Sequence, residues 1–348
     1  MKVLSAGDPL NIEAAAAVLK QGGLVAFPTE TVYGLGADVF NEKAVCRIFE
    51  AKKRPSFDPL IVHVASVEEA VKLWKETPPA AKALMKAFWP GPFTLVLPKS
   101  SQVPDVVTAG LPTVAVRFPR NEYAVALIRA LGGPIAAPSA NLFGYTSPTS
   151  AAHVREDLGE QVDIVLDGGD TVVGLESTVV KVEPEGCTLL RPGAVTPEEI
   201  EKIVPLKRAA SVPRSVESPG QMPTHYAPWT PLFLLPKPWK VCAKEMAALM
   251  AQAQAERQAP LRAGLLTFKS IEETPLFESV QVLSAKGELR EAAANLFQAI
   301  RNLDKMHLDI LMAEPMPEEG IGVAIMDRLK KASGGRLITQ GSLRGEPC

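Results

Sequence analysis

The stretch Gly23-Leu-Val-Ala-Phe-Pro-Thr-Glu-Thr-Val-Tyr-Gly-Leu-Gly36 decides the reading of this 348-residue chain. Leu24 to Phe27 is a short apolar run of the kind that makes a buried strand, and Pro28 ends it. A tight hairpin needs about two turn residues. Here Thr29, Glu30, Thr31 and Tyr33 stand between the apolar run and the glycine pair Gly34 and Gly36. So many polar side chains in a connection imply a job beyond reversing the chain.

Outward from this stretch, short apolar runs recur at residues 60–64, 93–97, 113–118, 135–137, 163–166, 177–182 and 188–190. Helical patterns lie at 11–20, with Asn11 as a cap, and at 41–53, 66–75, 79–89, 121–131 and 148–158. Strands mixed with covering helices predict an α/β domain built on a mixed sheet over residues 1–205. Residues 206–231 carry Pro213, Pro219, Pro223, Pro228 and Pro231, which interrupt every periodic pattern and mark a linker. Beyond it, runs at 232–235, 263–268, 280–283 and 308–313 alternate with helices at 243–257, 288–303 and 321–332. They predict a smaller Rossmann-like α/β domain over 232–348, without a G-x-G-x-x-G fingerprint.

The composition is that of a folded globular protein, 47% hydrophobic and 22% charged, and the net charge of -2 gives no overall footprint for nucleic acid. Cys46, Cys187, Cys242 and Cys348 include no C-x-x-C pair, so neither a zinc ribbon nor a disulfide scaffold is expected, and a reducing cytoplasm fits. No secretory pattern opens the sequence and no apolar run reaches the ~20 residues of a membrane span. His63, His153, His225 and His307 lack metal-ligand spacing, and no nucleophile, base and orienting group stand out.

Cations and hydroxyls at strand ends remain. Lys52 and Arg54 close a helix before Pro55, where they suit either a solvated cap or an anion. Pro138, Ser139 and Asn141 form a rigid bend offering a hydroxyl and an amide, and Ser147 extends that polar loop. Arg117, inside an apolar strand, needs an anion, either a ligand carboxylate or phosphate or a structural Asp or Glu. Arg191 ends another apolar strand, His63 sits on one face of a third, and Thr178 begins a strand after Glu176 and Ser177. The set favours chemistry by positioning and charge neutralisation, such as nucleotidyl transfer.

Taken in order, Phe27 to Gly36, Lys52 to Pro55, Pro138 to Asn141, Ser147 to Thr149, Gly174 to Val180 and Leu190 to Gly193 resemble the Sua5/YciO/YrdC family. Ser218-Pro-Gly, His225-Tyr-Ala-Pro228, Ala313-Glu-Pro315 and Asp327-Arg-Leu329 resemble its longer Sua5 subtype. The resemblance implies a YrdC-like twisted mixed sheet with a large cavity, followed by a Sua5-type C-terminal domain. It implies synthesis of threonylcarbamoyl-AMP and pyrophosphate from L-threonine, bicarbonate or CO2, and ATP with Mg2+. The product would pass to a threonylcarbamoyl transferase complex that makes N6-threonylcarbamoyladenosine at tRNA position 37.

On that resemblance Lys52, Arg54, Pro138, Ser139, Asn141, Ser147, Arg191, His225 and Tyr226 are expected at ATP. Thr31, His63, Arg117 and Thr178 are expected at threonine, with Lys52, Arg54 and Arg117 carrying the catalysis. The opening stretch becomes a cavity lip rather than a hairpin, its hydroxyls facing the amino acid while Gly34 and Gly36 let the backbone turn closely. Met222, Pro223 and Thr224 stand where the family's linker has Lys, Tyr and Arg, so these three positions supply no cation and His225 with Tyr226 is left to close as a lid. A different class, an RNA-binding module using a concave basic cavity, would show itself by a steep salt dependence of tRNA binding. Strong direct tRNA binding is not expected from this charge. A third reading, a hydrogenase-maturation carbamoyltransferase, would bring zinc-type cysteine pairs that this sequence lacks.

Overall fold

A computed structural model describes residues 1–208, 217–272 and 274–338. The chain divides into two compact units, Met1–Phe143 with Ser147–Met222, and Gly144–Thr146 with Pro223–Cys348. Within residues 206–231, the described part is therefore shared, 217–222 packing with the first unit and 223–231 with the second. Pro213 lies outside the described residues, as does Cys348.

The first unit contains β1 (Lys2–Ser5), β2 (Val25–Phe27), β3 (Gly34–Asp38), β4 (Ile61–His63), β5 (Phe93–Pro98), β6 (Thr113–Arg117), β7 (Ile135–Ala136), β8 (Ile164–Asp167), β9 (Thr178–Glu183), β10 (Gly186–Arg191) and β11 (Leu206–Arg208). They form one mixed sheet in the order β1-β8-β2-β3-β7-β4-β6-β5-β9-β10-β11. The strand runs read from sequence all recur, whereas β1, β3 and β11 carry too few apolar residues, or too many glycines, to have been read.

One expectation is overturned. The opening stretch is a hairpin: β2 and β3 pair antiparallel, with Val25 opposite Gly36 and Phe27 opposite Gly34. Its six-residue connection, Pro28 to Tyr33, is wide because Thr29 builds a small turn of its own, its hydroxyl accepting from Thr31 N and Val32 N and donating to Val32 O at 2.7 Å. The glycines serve strand packing. A Cβ on Gly36 would stand 2.8 Å from Ile135 and 2.9 Å from the Phe27 ring.

Helix ends follow local chemistry. The helix Pro9–Lys20 starts two residues earlier than its periodicity suggests, because Asp8 supplies the cap, accepting from Leu10 N, and Pro9 is pre-set for the first turn. In the helix Glu42–Lys52, Asn41 caps the start, and Lys53 leaves it in a left-handed conformation, φ 52°. That turn sends Lys52 and Arg54 in different directions from one helix end.

The sheet buries both faces. Ala26, Leu35, Val62, Leu95, Val116 and Val180 face the main core. On the opposite face, Val25, Phe27, Ile135 and Ile164 pack with Ala15, Leu19, Leu127 and Ile128 of the helices Pro9–Lys20 and Glu122–Leu131. Past β7 that face carries a small apolar cluster, Ile61, Val96, Ala115 and Val179, together with the polar His63, Arg117 and Thr94.

The second unit has a four-stranded parallel sheet in the order β12-β15-β13-β14, with β12 Leu232–Leu234, β13 Ala263–Thr267, β14 Ser279–Val282 and β15 Ile310–Ala313. The helices Trp239–Arg257, Leu289–Asp304 and Gly322–Ala332 alternate with these strands. A parallel sheet with alternating helices is what the Rossmann-like reading of this region expected.

Candidate active site

Strand register builds one end of the site. Ile135, His63, Arg117, Thr94 and Val179 are successive cross-strand partners, so their side chains share the face opposite the main core. Arg117 is 3% exposed, and all three of its guanidinium nitrogens make a polar contact. Nη2 meets Glu30 Oε1 at 2.7 Å, Nη1 donates to the Thr31 hydroxyl at 2.8 Å and Nε donates to Gly91 O at 3.3 Å. Glu30 is the residue that sequence reasoning left unassigned. Burial alone would raise its pKa, but the adjoining guanidinium holds the carboxyl below its usual range.

His63 lies beside Arg117 with its ring edge-on to Phe27 at 6.0 Å. Burial, reinforced by the Arg117 charge, pushes its pKa down to about 3, so the imidazole is neutral. Its Nδ1 is buried without a hydrogen-bond partner among the described residues. The hairpin connection also lines an opening of about 580 Å³, with Thr29, Glu30, Asn121, Tyr123, Gly168 and Asp170 on its walls. Tyr33 ties the connection to the neighbouring glycine turn, its hydroxyl donating to Gly169 O and accepting from Gly168 N.

Thr178 does not join this row. It pairs with Phe93, so it faces the main core, and its hydroxyl donates to Val195 O at 2.7 Å and accepts from Val195 N at 3.1 Å. Its neighbour Ser177 turns to the polar face instead. The Ser177 hydroxyl bonds Thr94 Oγ1 at 2.8 Å and accepts from Arg191 Nη2 at 3.1 Å. The hydroxyl run 177–178 was a visible signal, and only the register tells which of the two turns toward the polar face.

A second end gathers around Lys52. Lys52 is 1% exposed, and its ammonium donates to Ser139 O at 2.6 Å and Asn141 O at 2.5 Å, with Asn141 Oδ1 at 3.4 Å. Phe143 N in turn bonds Lys52 O, so the helix end and the Pro138 bend are laced together. Burial, then the nearby Arg54 charge, drives the Lys52 pKa well below its usual value.

Arg54 pairs with the fully buried Asp58 at 2.8 Å and donates to Asp58 O and Pro59 O. Burial raises the Asp58 pKa, and the charges of Arg54, Lys52 and Arg191 oppose that rise, with Arg54 the one in contact. Arg191 also donates to Ser177 O and Pro219 O. Pro138 contributes its carbonyl, which accepts from Leu35 N, and the Ser147 hydroxyl donates to the buried Glu176 carboxylate.

His225 and Tyr226 belong to the second unit. Their rings lie 4.1 Å apart, Tyr226 has φ 64°, and its ring packs on Phe297 and under the Arg328 guanidinium, 5.1 Å from the ring centre. Among the described residues no cluster of three or more His, Cys, Asp or Glu is arranged to hold a metal. No described helix is long and apolar enough to cross a membrane.

Comparisons with known proteins agree with this architecture. A family described as Telomere recombination matches residues 17–193, and one described as Threonylcarbamoyl-AMP synthase, C-terminal domain, matches 195–334. The chain is 44% identical to the threonylcarbamoyl-AMP synthase of Pyrococcus abyssi, covering 94% of this chain and 95% of that one. It is also 44% identical to the enzyme of that name from Bacillus subtilis, covering 96% of each. The crystal structure of P. abyssi Sua5 complexed with L-threonine superposes with a TM-score of 0.89 at 43% identity, covering 97% of this chain and 98% of that one. With both domains matched in order, the chain belongs to the Sua5/YciO/YrdC family and to its Sua5 subtype, the threonylcarbamoyl-AMP synthases.

Proposed function

We propose that the chain condenses L-threonine, bicarbonate or CO2, and ATP into threonylcarbamoyl-AMP and pyrophosphate at the two ends described above. The observation that carries the reading is the buried Lys52 ammonium, fixed by the Ser139 and Asn141 carbonyls beside Arg54. A cation kept out of water and hydrogen-bonded by carbonyl dipoles, with no carboxylate in contact, is suited to an arriving polyanion. The Arg117 end takes threonine. There the neutral His63 and the Thr31 hydroxyl flank a guanidinium that can turn from Glu30 toward a ligand carboxylate.

The neutral threonine amine adds to CO2 and loses a proton, giving a carbamate. A carbamate oxygen then attacks the α-phosphorus of ATP, the bond to the β-phosphate oxygen breaks, and pyrophosphate leaves. The substrate supplies its own nucleophile, so positioning and charge are the protein's contribution. Mg2+ is assigned to the phosphates of ATP, since Glu30 and Asp58 are each paired with an arginine and no cluster of three or more metal-ligating side chains stands among the described residues. His225 and Tyr226 are assigned to closing over the nucleotide. The product serves a tRNA threonylcarbamoyl transferase in the cytoplasm. An RNA-binding module is not favoured by a family of named synthases matched over nearly the whole chain.

The test is pyrophosphate release with ATP and Mg2+, omitting threonine and bicarbonate in turn and substituting serine for threonine. Release that needs both, with serine poor, is expected. Release indifferent to both overturns the reading.

A further inference from the structure

Glu30 is a buried carboxylate with three neighbours of different kinds: a cation, a backbone amide and an opening. The residue is 7% exposed, in the connection between β2 and β3. Oε1 meets Arg117 Nη2 at 2.7 Å and, among the described residues, has no hydrogen-bond partner apart from that arginine. Oε2 accepts from Asn121 N at 3.4 Å, at the start of the helix Glu122–Leu131, where the helix dipole favours an anion. The opening of about 580 Å³ lies against the same side chain. All of these residues belong to the first unit.

A counter-ion for Arg117 needs the ion pair alone. Threonine changes what that pair does, because the substrate carboxylate has to take the place of Glu30 on the guanidinium. The threonine ammonium sits on the carbon next to that carboxylate, so it arrives beside the side chain just displaced, which Asn121 N still holds. Two buried ion pairs then stand side by side, and moving a proton from nitrogen to Glu30 reduces them to one, which a poorly solvated site favours. We propose that Glu30 is the base that takes the proton from the threonine ammonium once the substrate carboxylate has replaced it on Arg117. The inference rests on the assignment of threonine to the Arg117 end.

In this step an N–H bond of the ammonium breaks, its electron pair stays on nitrogen and an O–H bond forms at Glu30. The lone pair then adds to CO2. Glu30 passes its proton to solvent through the opening, and the proton lost in forming the carbamate follows the same route. Before threonine binds, Glu30 is a poor base: burial, the largest influence, raises its pKa, but the Arg117 charge and hydrogen bond bring it below the usual range. When Arg117 turns to the substrate that restraint goes and burial prevails. His63 has no such release. Burial first, and then the Arg117 charge, push its pKa to about 3, and the burial persists with threonine bound. The other charged or titratable groups near Glu30, Arg120, Glu122, Tyr123 and Asp170, stand on the walls of the opening.

The experiment measures kcat for pyrophosphate release against pH in wild type, Glu30→Gln and Glu30→Asp, with threonine binding followed by calorimetry in the absence of ATP. Glu30→Gln should bind threonine at least as tightly, since the competitor for Arg117 has lost its charge, yet fall by on the order of 10²-fold in kcat at neutral pH. The ratio of variant to wild-type kcat, in which the bicarbonate equilibrium cancels, should recover by about tenfold per pH unit as solution supplies the free amine. Glu30→Asp should keep the shape of the wild-type profile. A deficit of equal size at every pH, or an intact kcat with weakened binding, makes Glu30 a counter-ion only and overturns the base. A pH-dependent deficit in His63→Gln, with kcat intact in Glu30→Gln, moves the base to His63 and also overturns it. Should Glu30→Gln fail to fold, Glu30→Asp decides. Drawing the oxygen back by one methylene should lower kcat by on the order of tenfold with the threonine Kd little changed, and an unchanged kcat overturns the proposal. A wild type that releases pyrophosphate without regard to threonine fails the proposed reaction itself, whereas threonine-dependent release with an undamaged Glu30→Gln fails the base alone.

Discussion

Arg117 and Lys52 are both buried cations, and they are held in opposite ways. Arg117 is neutralised by a carboxylate 2.7 Å away, whereas Lys52 hydrogen-bonds two backbone carbonyls and the Asn141 side chain. A closed ion pair satisfies itself, so a ligand carboxylate must compete with Glu30 and gains mainly orientation. A cation held by dipoles retains most of its field, so a phosphate approaching it gains Coulomb energy in a dry environment. On the proposed reaction, the difference separates the roles: the Arg117 end would select, and the Lys52 end would stabilise charge.

The comparison is broken most severely at Lys52. Lys52→Ala should lower kcat for pyrophosphate release by about 10³-fold, the upper range for removing one preorganised charge at a developing anion. The threonine KM should move little. A loss confined to KM would make Lys52 a binding group and erase the distinction between the two ends.

Arg117 should show its pairing through stability. Arg117→Met leaves Glu30 buried beside an apolar chain, at a cost of about 3 kcal/mol or more in urea unfolding. Glu30→Gln added to Arg117→Met should restore much of that stability while the threonine KM stays high. If the double variant were no more stable than the single, Glu30 would not be the anion that Arg117 serves.

Arg117 was legible in the sequence for a physical reason: a guanidinium inside an apolar run has to meet an anion or dipoles, and the runs themselves announced the sheet. Lys52, at a helix end, suits a solvated cap equally well, and only the family resemblance singled it out. What escaped was whatever depends on register. Glu30 looked like one polar residue among four, and only the fold back of Phe27 to Gly36 brings it to Arg117. Asp58 lies in the ordinary-looking Ser56-Phe-Asp-Pro59 and becomes visible only when the fold pairs it with Arg54. β3 was missed because Gly34 and Gly36 read as turn residues, although they are small in order to admit Phe27 and Ile135.

A smaller effect sharpens the Arg117 end by pH. His63 is neutral in the fold with a pKa of about 3, against an ordinary value near 6.5. Below the ordinary value the unfolded chain takes up a proton that the folded one refuses. Stability is therefore fully present above about pH 6.5 and is lost as pH falls toward about 3, with a slope of up to about 1.4 kcal/mol per pH unit from this group. His63→Gln should flatten that part of the acid limb of the melting curve. An unchanged limb would place the His63 proton in the folded state and contradict its burial beside a charged guanidinium.

The finest test uses two neighbours on one strand end. Thr178 turns to the main core and spends its hydroxyl on Val195, while Ser177 turns to Thr94 and Arg191. Thr178→Val keeps the shape and deletes the hydroxyl, leaving the Val195 amide and carbonyl short of one partner each, a loss of about 1–2 kcal/mol. Because none of those atoms faces Arg117, the KM for threonine and for ATP should stay within about threefold of wild type, as for a substitution far from shared partners. Ser177→Ala takes from the buried Thr94 hydroxyl its bond to Ser177, while Arg191 keeps its bonds to Ser177 O and Pro219 O, and should raise the ATP KM by freeing one arm of Arg191. Steady-state kinetics on the pair decide it. If Thr178→Val is the kinetically damaged variant, the strand's facing has been read the wrong way round, and with it the row that joins His63 to Arg117.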